Sequence, residues 1–185
     1  MTETAEKKTD LRVVKTKRAI YAALERLLHK KSIDKITVAE LSREAMINKG
    51  TFYLHYTDIF DLFQQALKLH MQEIADRIDF TDMLFTDPDI FSDRLISISK
   101  ARPLFSDDVF LQEGNRVYCQ NAQFLLCESL AENVIANAPK ELTSLDTAKL
   151  RYIFAGAGSL LRYNTAISSE EISAIISSVI RVLMA

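Results

Sequence analysis

An all-α fold is the expectation, and three observations carry it. Apolar residues make up 48% of the 185-residue chain. They recur at helical spacing nearly from end to end, and only four Gly and three Pro interrupt them. That length suits one or two helical units sharing a buried core, and the composition excludes disorder as the main state.

The first helix is expected to begin near Asp10 or Thr16 and to run to about Lys30. Ile20, Leu24, Leu27 and Leu28 give it an apolar stripe at i, i+4, i+7 and i+8. Ahead of the stripe, Lys7, Lys8, Arg12, Lys15, Lys17 and Arg18 form a basic arm over residues 1–18. Such an arm is either a solvated helix end or a group of contacts to backbone phosphates.

Residues 36–63, ITVAELSREAMINKGTFYLHYTDIFDLF, read as a helix-turn-helix followed by the start of a longer helix. Thr37 to Glu40 has the S/T-x-x-E form of a capping box, in which the Thr37 hydroxyl accepts from the Glu40 amide and the Glu40 carboxylate returns to the Thr37 amide. Val38, Leu41 and Ala45 make the buried stripe of the second helix. Asn48 is placed to cap the third. At 100° per residue, Phe52 and Tyr56 share one face and point into the core, while Gly50, Thr51 and Leu54 point away, flanked by Lys49, Tyr53 and His55.

An exposed Leu and Tyr on so short a helix make sense if something covers them, and the major groove of double-stranded DNA fits the width of the face. Gly50 allows close backbone approach. Thr51 and Leu54 offer methyl groups to thymine, and Lys49 can donate to guanine edges. Tyr53 and His55 can donate to flanking phosphates.

Thr57 or Asp58 is expected to cap a fourth helix reaching about Ile78, with the stripe Phe60, Phe63, Leu67, Met71, Ile74 and Ile78. Residues 79–93 read as an acidic loop around Pro88, with room for a turn of helix. Residues 90–100 read as a fifth helix. From Asp107 a helical pattern, as one helix or two, runs toward Pro139. Two final helices follow over 145–165 and 168–184, the last opened by a second capping box at Ser168 to Glu171.

The charge is uneven. Residues 1–56 hold 12 Lys and Arg against 7 Asp and Glu, whereas residues 57–185 hold 11 against 18. A basic unit on an acidic body suggests a polyanion partner at one end. No stretch has the form of a signal peptide or of a membrane span, so a cytoplasmic protein with no membrane partner is expected. Cys119 and Cys127 read as buried thiols rather than as a disulfide or metal pair. His29, His55 and His70 lack ligand spacing, and neither a phosphate loop nor a nucleophile motif occurs. The expectation is therefore no enzyme, no catalytic residue, no metal and no cofactor.

The run T-V-A-E-L-S-R-E-A at residues 37–45, N-K-G-T-F-Y-L-H-Y at 48–56 and D-I-F-D-L-F at 58–63 resembles the TetR family of bacterial transcription regulators. The detailed match covers about residues 10–63. The resemblance implies an amino-terminal three-helix DNA-binding domain, residues 1–57, joined by a long helix to a helical regulatory and dimerisation domain, residues 58–185. It places Asn48, Lys49, Gly50, Thr51 and Leu54 at the groove and gives phosphate contacts to Thr37, Tyr53 and His55. Two positions depart from the family pattern. Tyr56 stands where Phe is usual, and Ile59 stands where a phosphate-binding Lys is common.

The family forms homodimers through its last two helices. Here the small residues Gly156 and Ser159, with Ile172, Ile176, Val179, Ile180 and Leu183, are the candidate interface. A small-molecule effector or a regulatory protein is implied as a further partner. Arg102, Phe105, Phe110, Arg116, Tyr118, Tyr152 and Arg162 are candidate pocket residues, each also readable as core or helix surface. Repression is the common outcome in such proteins, and activation occurs too. The alternative from another class is a helical protein-interaction module, which would bind without the steep salt dependence of a DNA contact.

Overall fold

The structure, a computed structural model, describes residues 2–100, 108–163 and 166–184, with side chains from Leu11 onward and Tyr163 aside. Among the described residues every regular element is helical, as expected. Among the described residues no helix is long and apolar enough to cross a membrane. The chain packs as two compact units, Met1–Leu67 with Asp107–Cys119, and Lys68–Ser106 with Gln120–Ala185. The first unit thus reaches past residue 57 and takes in a segment distant in sequence.

Within the first unit, α1 (Thr2–Leu28) starts well before the expected Asp10 or Thr16. Nothing in its 27 residues breaks a helix, and Ala, Glu, Lys, Leu and Arg favour one. Ile20, Ala23, Leu24, Leu27 and Leu28 are buried, so the stripe faces the core as read. A 3₁₀ turn, Ile33–Lys35, leads into α2 (Val38–Glu44). There Thr37 caps as expected, its hydroxyl accepting from the Glu40 amide at 3.2 Å. The Glu40 carboxylate does not complete the box; it accepts from Lys31 Nζ at 2.6 Å and so ties α2 to the end of α1. A second ion pair, Arg26 to Glu44 at 2.5 Å, repeats that tie one helical turn on.

The turn after α2 closes by two bonds. Met46 N–H donates to the Arg43 carbonyl at 3.2 Å, and Ile47 N–H donates to the Ser42 carbonyl at 2.9 Å. This pairing needs a left-handed residue between them, and Met46 takes that place at φ 54°. Then come α3 (Lys49–Tyr53) and α4 (Ile59–Asp76). Asp58 caps α4 by accepting from the Asp61 amide at 2.8 Å, and the Asp61 carboxylate accepts from Thr57 N–H at 2.9 Å. That bond holds the Asp61 carboxyl below the usual carboxylate range.

The expected stripe of α4 is buried at Phe63, Leu67, Met71 and Ile74 but not at Phe60. Ile59 is only 6% exposed and Phe60 is 42% exposed. The buried set of its opening turns is Ile59, Leu62, Phe63, Ala66 and Leu67. Phe60 instead lies beside the Tyr118 ring, with centroids 5.1 Å apart.

The second unit holds α5 (Met83–Thr86), α6 (Pro88–Lys100), α7 (Ala122–Ala136), α8 (Ser144–Tyr163) and α9 (Ser169–Met184). Pro88 opens α6 rather than lying in a loop, because its fixed φ and missing N–H suit a first helical position. Asp87 Oδ1 accepts from the Ile90 amide there at 3.1 Å. The pattern from Asp107 to Pro139 resolves into a 3₁₀ segment, Glu113–Cys119, and α7. Ser168 and Glu171 form the expected reciprocal box, at 2.8 and 3.2 Å. Phe80, Phe91 and Phe154 stack edge to face through the core, with Leu95, Leu130, Val134, Leu150, Ile153 and Ile176 packed around them.

Candidate nucleic-acid interface

Three local devices present α3. The Thr37 cap and the two ion pairs hold α2 on α1, and the tight turn at Met46 sends the chain into α3. Phe52, fully buried, and Tyr56 then pin α3 from below, with ring centroids 5.5 Å apart. Burial, with a smaller contribution from the Asp61 charge, pushes the Tyr56 hydroxyl pKa up. Asn48 stands at the N-cap position as read, but its side chain makes no capping bond. It accepts instead from the Thr51 hydroxyl at 3.5 Å.

The outward face is the one expected from the sequence. Lys49 and Gly50 are exposed, Leu54 is 79% exposed and Tyr53 58%, while Thr51 and His55 are half-buried. A Cβ built on Gly50 would meet only Asn48 Oδ1, at 3.9 Å, and Gly50 does not have positive φ. Neither packing within the chain nor backbone conformation therefore requires glycine there.

The electrostatics divide in the same way. Arg26 on α1 and Lys31 just past its end are paired with α2 carboxylates. Arg12, Lys15, Lys17 and Arg18 are exposed, and none of them has a carboxylate partner among the described residues. Lys7 and Lys8 lie outside the described side chains. The Ile59 side chain is part of the core, so the head of α4 presents no cation at that position.

Other expected sites fare differently. Of the candidate pocket residues, Arg102 and Phe105 lie outside the described residues. Phe110 is buried against Phe63, centroids 5.7 Å apart, and Tyr118 lies on Phe60. Both are packing residues of the first unit, and Arg116 is exposed within that unit. Tyr152 and Arg162 are exposed on α8 in the second unit, where Arg162 donates to the Gln120 carbonyl at 2.8 Å.

Of the candidate interface residues, Ile172, Ile176 and Ile180 are buried in the chain's own core, and Val179 and Leu183 pack at its edge. Their burial follows from the packing of α9 against α6 and α8. Gly156 and Ser159 do face outward. Both cysteines are free, and they are half-buried rather than buried as read. No group of three or more His, Cys, Asp and Glu suited to a metal ion occurs among the described residues.

One residue of the first unit escaped the sequence reading. Asn115, fully buried, accepts from the Ile33 amide at 2.8 Å although the two are 82 positions apart. No local pattern marks such a bond.

Comparison with known proteins points one way. Residues 20–66 match the family model for bacterial regulatory proteins of the tetR family. Over 74 residues the chain is 35% identical to the uncharacterised HTH-type transcriptional regulator YxbF of Bacillus subtilis (strain 168), a stretch that is 40% of this chain and 20% of that protein. Similar solved structures include the dihydroxyacetone kinase operon activator DhaS, 15% identical, covering 91% of this chain and 94% of that one at a TM-score of 0.38. A TetR-family regulator from Mesorhizobium loti is also 15% identical, covering 94% and 96% at a TM-score of 0.41. The helix-turn-helix motif, the geometry into which it folds and the match over residues 20–66 agree: that part of the chain is similar to bacterial regulatory proteins of the tetR family.

Proposed function

We propose that the chain is a sequence-specific regulator of transcription that binds double-stranded DNA as a homodimer, on a roughly palindromic operator. It acts as a repressor, and a small ligand or a partner protein controls its hold on DNA. Lys49, Gly50, Thr51 and Leu54 read bases in the major groove, with Asn48 at the head of the helix. Thr37, Tyr53 and His55 fix the register on phosphates, and the unpaired cations of α1 add sequence-independent attraction.

The observation that carries this reading is Gly50. A helix interior disfavours glycine by about 1 kcal/mol relative to alanine, and no neighbour in the chain crowds this one. Close approach by a backbone or base edge explains its presence. The dimer is supported by the apolar side chains left uncovered on the last two helices, namely Leu145 and Tyr152 on α8 with Ile175 and Val182 on α9.

Duplexes recovered from a random-sequence pool by the purified protein supply the probe, with affinity read by fluorescence anisotropy. Gly50→Ala should fold at least as stably and bind about tenfold more weakly, equivalent to about 1.4 kcal/mol. Tyr53→Ala should weaken binding to all sequences alike, whereas Lys49→Ala and Leu54→Ala should change base preference. Affinity should fall steeply with salt. A Gly50→Ala protein that folds and binds as tightly as the parent would show that α3 does not enter the groove.

A further inference from the structure

The first unit contains a segment that the linear motif does not include. Residues 108–119 lie against the opening of α4 and the turn between α1 and α2. Phe110 covers Phe63, and the Tyr118 carbonyl accepts from Gln64 Nε2 at 2.8 Å. At the centre is Asn115. Its Oδ1 accepts from Ile33 N–H at 2.8 Å, and its Nδ2 donates to the Val109 carbonyl at 2.9 Å.

Ile33 opens a 3₁₀ turn, where the first amides have no acceptor within the helix. The Ile33 side chain is fully buried, so its amide has no easy recourse to water. Asn115 supplies the acceptor from across the unit. Gly114 makes the approach possible, because a Cβ there would stand 2.9 Å from Ser32 Cβ.

The turn held in this way has one task. It delivers Ile36 and the Thr37 cap to the start of α2, and α2 sets the angle at which α3 is presented. We infer that Asn115 is a positioning residue for DNA recognition, acting through Ile33 to fix the pose of the reading helix. This inference rests on the DNA-binding reading above. The specificity of the reading head is thereby made to depend on a segment encoded far from the helix-turn-helix.

A residue needed only for stability would reduce binding to every duplex by the same factor, namely the folded fraction. A positioning residue reduces the preference for the selected duplex over a scrambled one. Asn115→Leu removes both bonds at similar volume, whereas Asn115→Asp keeps an acceptor for Ile33. Gly114→Ala pushes on the same turn without touching the amide group.

The experiment measures the affinity of full-length variants for the selected duplex and for a scrambled duplex, with folding followed by circular dichroism. Asn115→Leu and Gly114→Ala should each lower the specific-to-scrambled ratio about tenfold. Asn115→Asp should retain most of the ratio. Unchanged ratios in folded Asn115→Leu and Gly114→Ala would overturn the inference, as would equal losses on both duplexes. Should Asn115→Leu fail to fold, Gly114→Ala and Asn115→Asp decide alone. If the unaltered protein selects no duplex, the DNA-binding reading fails first and this inference falls with it. Unchanged ratios in the variants of a selective parent defeat this inference only.

Discussion

A Cβ on residue 158 would stand 2.6 Å from the Cys127 sulfur, so Gly158 is what lets α8 lie directly on α7. The run of small residues at 155–159 therefore serves two faces. Ala157 and Gly158 are buried toward α7, while Ala155, Gly156 and Ser159 face outward. Gly158→Ala should destabilise the protein despite the better helix propensity of alanine. Overlap costs about 1–3 kcal/mol and propensity returns about 1 kcal/mol, a net cost of up to about 2 kcal/mol or a fall of up to about 8 °C in melting temperature for a chain of this size. Adding Cys127→Ala to Gly158→Ala should recover most of the loss in a thermal melt. No recovery would mean that the sulfur is not the obstacle.

Met46 holds the left-handed position of the tight turn and is 92% exposed, so its side chain contributes almost no packing. A left-handed conformation costs a side-chain-bearing residue roughly 1–2 kcal/mol. Met46→Gly removes that strain, offset in part by the greater freedom of glycine when unfolded. Urea denaturation should show a gain of about 1 kcal/mol, and a loss of stability would contradict the turn geometry.

Burial, with a smaller contribution from Asp108, pushes the Cys119 thiol up to about 12. Burial and then the Glu128 charge push Cys127 up to about 11. Thiolate is the reactive form, so at pH 8 both residues should react with a disulfide reagent at least about 100-fold more slowly than free cysteine, Cys119 the more slowly of the two. Urea should abolish the difference. Because the unfolded chain gives up these protons at lower pH than the folded one, stability should decline as pH rises above the ordinary thiol range. Rapid labelling of the native protein at pH 8 would show that the thiols are accessible.

Gly156 has open space around its Cα, which gives the proposed dimer a clean test. Gly156→Glu should leave the fold of one chain intact, with an unchanged circular dichroism spectrum, while placing two like charges across the interface. Light scattering should then report a monomer. A dimer of normal stability would locate the interface elsewhere.

The presenting face of α3 was legible because Phe52, Tyr56, Gly50 and Leu54 lie within two turns of one helix, where a fixed angular step sorts inward from outward. The same step misled at α4. Phe60 is the larger apolar residue, but Asp58 starts the helix at Ile59 and so turns Ile59 inward. For α9 the sequence showed apolar residues over a wide arc without showing how much of it the same chain would cover. Ile172, Ile176 and Ile180 proved to be that covered part. Asn115 was out of reach for another reason: its partner amide is 82 residues away, and nothing in its neighbours encodes the distance.

That distance has a consequence during synthesis. Chains fold from the amino terminus as they emerge, yet a nascent chain that has emerged only to Leu67 would leave Phe63 and the Ile33 amide uncovered. The reading head is completed only when residues 108–119 arrive. An excised fragment ending at residue 67 should expose apolar surface and exchange the Ile33 amide rapidly, whereas the full chain protects it. On the proposed function, DNA binding would therefore wait until residues 108–119 have been made.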